Sequence, residues 1–297
     1  MRGWVAGVIL GVTCAASLAA SAEIHVLCTT TIVGDVVAHV AGGRLAVDVL
    51  LPVNADPHSF EATPSDLVRI ARATVIFESG AGLEEFLAPL LETTRALVVD
   101  LSAGLALRAL SSQSEFGDAG TDPHVWFDPT NVIHWLDGIT TVLETLDPGH
   151  AAEYRERSAA YARSLRDLDA WIAEQTSRIP PEDRRLVTDH DSFGYFASRY
   201  GFDLVGTVLP GLSAVAEPSA RDLAALEDAV RRAGVPAIFV GTTANPTLAV
   251  QVAADTGTRL VVLYTGSLSD AAGPASTYID LLRYNVTQIV VALTESS

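Results

Sequence analysis

Two histidines in this chain follow the same dipeptide. Asp56-Pro57-His58 and Asp122-Pro123-His124 lie in two loops that are far apart in sequence. Proline fixes its own φ angle and restricts the residue before it, so each histidine is entered through a stiffened loop. A stiff approach is useful where an imidazole must be held in one place, as a metal ligand must be. The alternative is a pair of ordinary turns, because Asp-Pro commonly opens a turn.

Two further side chains join these histidines as candidate ligands. His190, in "VTDHDSFGYF", directly follows a predicted strand, and Asp270, in "YTGSLSDAAG", follows another. Ligands of open parallel α/β sheets bind at the carboxyl ends of the strands. Three imidazoles and one carboxylate gathered there would suit a divalent metal such as Zn²⁺ or Mn²⁺. Alternatively, His190 caps the helix after it and Asp270 is an ordinary turn aspartate.

The remaining histidines and the cysteines lack such settings. We interpret His25 and His39 as structural, His134 as part of a helix face, and His150 as solvated near a helix start. Cys28 lies in an apolar run and is expected to pack as a small hydrophobic residue.

Strand-like and helix-like segments alternate along the chain. This alternation predicts an α/β fold with parallel sheets. We expect two lobes, each with a parallel sheet flanked by helices, at residues 23–146 and 182–297. The expected strands are "EIHVLCTT", "LAVDVLL", "TVIFESG", "ALVVDL", "RRLVTD", "FDLVGTVL", "PAIFVG" and "RLVVLY", and a helix at about 276–293 closes the chain.

Residues 147–181 are predicted to form one long, rigid backbone helix that joins the lobes. Asp147 can cap it, Pro148 suits its first position, and Pro180-Pro181 ends it. Its apolar residues share one face; they are Tyr154, Tyr161, Leu165, Leu168 and Ile172.

The amino terminus reads as a signal peptide. Arg2 precedes an apolar run that is too short for a comfortable membrane span, and Ala20-Ser21-Ala22 predicts cleavage after Ala22. Cleavage would leave Cys28 as the sole cysteine, which excludes an intramolecular disulfide.

The chain has no lysine, and its formal net charge of −17 argues against nucleic acid and anionic membranes as partners.

With these loops, the sequence resembles the metal-binding solute-binding proteins of ABC importers, in particular the zinc and manganese group called cluster A-I. The resemblance runs over nearly the whole mature chain. It is carried by "VNADPHSFEATPSDL", "DPHVWFDPTN", "TDHDSFGYFASRYGF" and "SLSDAAGPASTY", with "EPSARDLAALE" also typical. It implies His58, His124, His190 and Asp270 as metal ligands. It also implies a periplasmic protein that hands metal to a membrane permease, and we expect a monomer that is not an enzyme and that meets the permease with or without a periplasmic metallochaperone.

The ligand types favour zinc over manganese. Members that resemble manganese binders usually carry Glu at the third ligand position, whereas this chain has His190, and zinc accepts nitrogen-rich sites more readily than manganese does. One feature points the other way. Many zinc-specific members have a His-rich loop ahead of the second ligand, but "SSQSEFGDAGTDPH" contains no histidine before His124. A manganese or iron binder of the same family is therefore the alternative.

Two functions from other classes are weaker. A secreted zinc hydrolase would need a general base, and Glu61 is the available candidate, but its "HSFE" spacing matches no H-E-x-x-H motif. An adhesin would need repeats or lipid anchoring, and the sequence shows neither.

Overall fold

The computed structural model describes residues 23–110, 120–209 and 219–295. The predicted signal peptide, most of the loop ahead of His124 and the start of "EPSARDLAALE" at Glu217 lie outside the described residues.

The amino-terminal sheet has four parallel strands in the order β2-β1-β3-β4. Every sequence-predicted strand of this half is present, although each is shorter than its apolar run. The strands are β1 (Val26–Cys28), β2 (Val47–Val49), β3 (Val75–Glu78) and β4 (Leu97–Asp100), and the helices are α1 (Thr31–Ala41), α2 (Pro64–Arg72) and α3 (Ala88–Leu91).

Two longer helices come before the second sheet begins: α4 (Pro129–Leu146) and α5 (Ala151–Thr176). The predicted apolar face of α5 is buried at all five of its named positions. Replacing the fully buried Leu165 with alanine would cost about 2–5 kcal/mol of the free energy of unfolding.

The carboxy-terminal sheet repeats the arrangement, with parallel strands in the order β6-β5-β7-β8. Its strands are β5 (Arg185–Thr188), β6 (Asp203–Thr207), β7 (Ala237–Gly241) and β8 (Arg259–Leu263), and its helices are α6 (Gly194–Tyr200), α7 (Ala220–Ala233), α8 (Thr247–Thr256) and α9 (Tyr278–Thr294). The predicted α/β fold, with two parallel sheets flanked by helices and one long helix between them, is confirmed.

One apolar core runs through both halves. It contains Phe77 of β3, Phe239 of β7 and the buried face of α5. Cys28 is fully buried in the same core, and burial raises the pKa of its thiol, as expected for a packing residue. The two sheets are therefore packed against shared helices, which fixes the relative positions of their strand ends.

Two predicted helix starts are wrong. Ser65, which opens "SDLVRIARA", is the N-cap that the sequence predicts for α2. Thr63 caps α2 instead, because its side chain accepts from the Asp66 N–H while Asp66 accepts from the Thr63 N–H. Asp147 and Pro148 do not start α5. Residues Pro148–His150 form a 3-10 turn, and the Asp147 carboxylate binds the His150 ring and the Tyr154 hydroxyl instead.

Across the described ranges, no helix combines the length and the apolar character that a membrane crossing requires.

Candidate metal site

Three of the four predicted ligands converge. The ring nitrogens of His58, His124 and His190 lie within 4.8 Å of one another. The Nε2 atom of His124 is 3.1 Å from Nε2 of His58 and 3.2 Å from Nε2 of His190. No other such group of histidine, cysteine or acidic side chains occurs in the part of the chain that the structure describes.

His124 is held by a carboxylate and by the aromatic residues that come after it. Its side chain is 1% exposed, and its Nδ1 lies 2.9 Å from Asp122 Oδ1, which also accepts from the His124 N–H. Directly after it, Val125–Phe127 form a buried 3-10 turn, in which the Trp126 indole N–H donates to the Thr265 carbonyl. The His124 loop is therefore fixed to both halves of the molecule.

A glycine makes room for the carboxylate beside His124. A Cβ on Gly194, the first residue of α6, would collide with Asp122 Oδ2. Burial raises the pKa of Asp122 to about 7, although the His124 N–H and Arg108 act to lower it.

His190 has the same kind of support from the other sheet. It follows β5 by two residues, and its Nδ1 lies 3.0 Å from Asp189 Oδ1. The other Asp189 oxygen accepts from the Gly241 N–H at the end of β7. Burial acts to lower the pKa of His190, but the Asp189 carboxylate outweighs burial, and the pKa is raised above its usual value.

His58 is the least constrained of the three. It is half-buried, and Asp56 accepts from its backbone N–H rather than from its ring. The second Asp56 oxygen accepts from the Ser59 hydroxyl. Burial and the neighbouring His124 and His190 lower the pKa of His58 to about 3, so its imidazole is neutral near pH 7.

The hydrogen bonds define which nitrogens face the centre of the cluster. When the Nδ1–H groups of His124 and His190 donate to their carboxylates, both Nε2 atoms present lone pairs to each other across 3.2 Å. Two such lone pairs repel unless a proton or a metal ion lies between them. Carboxylate–histidine pairs of this kind are the usual support of metal-ligating imidazoles.

Asp270 does not join the three histidines. Its side chain is exposed, Oδ1 accepts from the Ala272 N–H, and its backbone carbonyl accepts from the Gly273 N–H and the Ser269 hydroxyl. In this structure Asp270 therefore serves as a turn aspartate, the alternative that the sequence left open. As a ligand it stays a prediction that requires the turn to rearrange.

The carboxylates of Asp122 and Asp189 are the site residues that the sequence reasoning missed. The signal was available, because each aspartate precedes its histidine by one or two residues.

The histidines outside the site can be compared with their interpretation from the sequence. His39 stacks on Tyr161 with ring centroids 4.1 Å apart, which agrees with a structural role, and His134 lies on α4 with its Nε2 2.9 Å from the Ala103 carbonyl. The side chain of His25, also interpreted as structural, is exposed. His150 is half-buried against Asp147 rather than solvated.

Comparison with known proteins places this chain in a family. The family described as "zinc-uptake complex component A, periplasmic" matches residues 26–292. The chain is 32% identical over 274 residues to the manganese-binding lipoprotein MntA of Halalkalibacterium halodurans, covering 92% of this chain and 89% of that protein. It is 32% identical over 269 residues to the iron-binding protein YfeA of Yersinia pestis, covering 90% and 85%.

A solved structure of similar fold carries a third metal in its name. The periplasmic zinc-binding protein TroA of Treponema pallidum superposes with a TM-score of 0.81 at 28% identity, covering 91% of this chain and 99% of that one. The chain belongs to the zinc-uptake component A family, whose members are metal-binding substrate-binding proteins of ABC importers and not enzymes.

Proposed function

We propose that this protein captures one Zn²⁺ ion per chain between its two sheets and delivers it to an ABC import permease. His58, His124 and His190 would be its ligands, and Asp270 would complete the set only if its turn rearranges. The observation that carries the proposal is the pair of Nε2 atoms 3.2 Å apart, on two imidazoles whose Nδ1 atoms each lie against a buried carboxylate.

The spacing of the nitrogens supports zinc. With Zn–N bonds of about 2.0–2.1 Å, neighbouring nitrogens of a tetrahedron lie about 3.3 Å apart. The two Nε2 separations in the structure, 3.1 and 3.2 Å, are close to that value. Manganese prefers oxygen donors and lies below zinc in the general affinity order, so a three-imidazole set favours zinc.

A direct competition tests the choice of metal. The protein, purified without added metal, is equilibrated with equal Zn²⁺ and Mn²⁺, and the bound metal is measured after desalting. We expect zinc in the site, and we expect His190→Glu to narrow the preference because it exchanges a nitrogen for an oxygen donor. His25→Ala, which changes an exposed histidine outside the cluster, is the matched control. Manganese in the unmodified protein would assign the chain to the manganese binders.

We expect a monomer that is exported to the periplasm, with cleavage after Ala22, and that meets its permease there. Purification from the periplasmic fraction followed by amino-terminal sequencing tests the cleavage, and a mature chain that begins elsewhere than Glu23 would contradict it.

A further inference from the structure

One segment of the carboxy-terminal half is hydrogen-bonded to the loop that carries His58. Residues 264–269, here called the β8-exit segment, leave the end of β8 and reach the amino-terminal half. In this segment Ser267 is buried, and its Oγ accepts from the Asn54 N–H at 2.9 Å. The same Oγ lies 3.4 Å from the Thr31 hydroxyl, which in turn accepts from the Leu268 N–H. These contacts join residues that are more than 200 positions apart.

The neighbouring residue allows the same loop to approach closely. A Cβ on Gly266 would lie 2.7 Å from Cδ and 3.1 Å from Cγ of Pro57, the residue before His58. A proline ring cannot rotate away as a flexible side chain can, so any larger residue at position 266 would push the loop. Gly266 therefore permits the close packing that sets the distance of His58 from the other two histidines.

The His58 loop depends on this contact more than the other two ligand loops do. Asp122 and Asp189 fix the rings of His124 and His190, whereas the Asp56 carboxylate accepts hydrogen bonds from within its own loop. Asn54 also adopts a left-handed backbone conformation with φ of 65°, which a non-glycine residue adopts at some cost. The hydrogen bond from its N–H to Ser267 helps to hold that conformation.

We infer that Ser267 and Gly266 are positioning residues that hold the His58 loop over the metal and thereby set the rate of metal release. The inference rests on the proposed function and extends it. His124 and His190 would form the fixed part of the site, and His58 would be the ligand that leaves first. When the contact with the β8-exit segment is lost, the loop can swing away and the ion is exposed on one side.

The dissociation rate of Zn²⁺ tests this inference. Zinc-loaded Ser267→Ala is mixed with excess chelator, and we expect the first-order release rate to rise about five- to tenfold, since one buried hydrogen bond is lost. The association rate should stay within about twofold. Amide hydrogen exchange at Asn54 should accelerate. Gly266→Ala, which displaces Pro57 sterically, is the second variant and should speed release further.

Thr176→Ala is the matched control. Thr176 is as buried as Ser267, but its hydroxyl donates to the Ile172 carbonyl within α5. If Ser267→Ala and Gly266→Ala both release zinc at the rate of Thr176→Ala, the inference is overturned. That result differs from failure of the proposed function, in which His124→Ala would retain zinc as the unmodified protein does.

Discussion

The two Asp-Pro-His tripeptides have identical sequences and different structural roles. In the second, the Asp122 carboxylate contacts both the backbone N–H and the ring of a fully buried His124. In the first, the Asp56 carboxylate contacts the backbone N–H of His58 and the Ser59 hydroxyl but does not bond to the ring.

The difference comes from the residues that succeed each histidine. His124 is succeeded by Val125–Phe127, which are buried and draw the loop into the core. His58 is succeeded by the exposed Ser59 and, two residues later, by the exposed Glu61, so its loop stays closer to the surface. A three-residue motif thus supplies a stiffened histidine, and the flanking residues decide how deeply that histidine is buried.

The largest expected effect is the loss of a ligand. Replacing His58, His124 or His190 with alanine removes about a quarter to a third of the donor set, and we expect zinc affinity to fall by about 100-fold or more. The zinc-dependent rise in melting temperature should shrink accordingly. Chelator competition and thermal unfolding measure these changes. An unchanged zinc shift in all three variants would place the site elsewhere.

Removing the carboxylates should separate the two tripeptides. Asp122→Asn takes away the acceptor that orients the His124 ring, and we expect zinc affinity to fall by about 10- to 100-fold. Asp56→Asn loses contacts to backbone and hydroxyl only, so we expect a change of about threefold or less. The affinities come from the same chelator competition. Equal losses in the two variants would contradict the distinction between the loops.

The protonation states of the site residues should also affect zinc binding. His190 and Asp122 have raised pKa values and hold protons at pH 6, whereas the lowered pKa values of His58 and His124 leave those rings neutral. Zinc must displace the held protons, so its affinity should fall as the pH is lowered.

Calorimetry in buffers of different ionisation enthalpy counts the protons released. Near pH 6 we expect about two per ion, one each from His190 and Asp122, and fewer near pH 8. Release of three or more would mean that His58 or His124 is also protonated in the metal-free protein.

The smallest expected effect concerns Asp270. Because its exposed carboxylate caps a turn in this structure, Asp270→Asn should change zinc affinity by about threefold or less. Chelator competition measures the zinc affinity of Asp270→Asn, and the loss of affinity in His190→Ala, measured in the same way, is the reference. A loss as large as that of a histidine variant would show that the turn rearranges and that Asp270 is a fourth ligand.

Sequence patterns predict the elements of this fold more completely than the details of the site. The eight strands of the described residues and the buried face of α5 follow from apolar periodicity, which depends on local residue order. The positions of His58, His124 and His190 follow from the rule that ligands gather at strand ends. The cap at Thr63 was misplaced because Thr63 and Ser65 are both good caps and only the reciprocal bond with Asp66 distinguishes them.

Contacts between distant segments could not be predicted in the same way. The sequence shows that Asp122 and Asp189 closely precede their histidines, but it does not show that their oxygens face the rings, since Asp56 precedes His58 in the same way and bonds only to its backbone N–H. Gly266 packs closely against Pro57 and so joins the two halves of the chain, but no periodic pattern of residues in the sequence indicates this contact. Asp270 is the opposite case. It is a carboxylate at a strand end, as a ligand would be, but in this structure it accepts a hydrogen bond within its own turn.

Diffraction from crystals of the zinc-loaded protein, with anomalous data at the zinc absorption edge, tests most directly whether both Asp-Pro-His loops and His190 serve one ion. We predict a single anomalous peak about 2.0–2.1 Å from the Nε2 atoms of His58, His124 and His190, with the Asp122 and Asp189 carboxylates still on the Nδ1 atoms of their histidines. A peak away from these three nitrogens, or an ion that leaves His58 or His124 unbound, would contradict it.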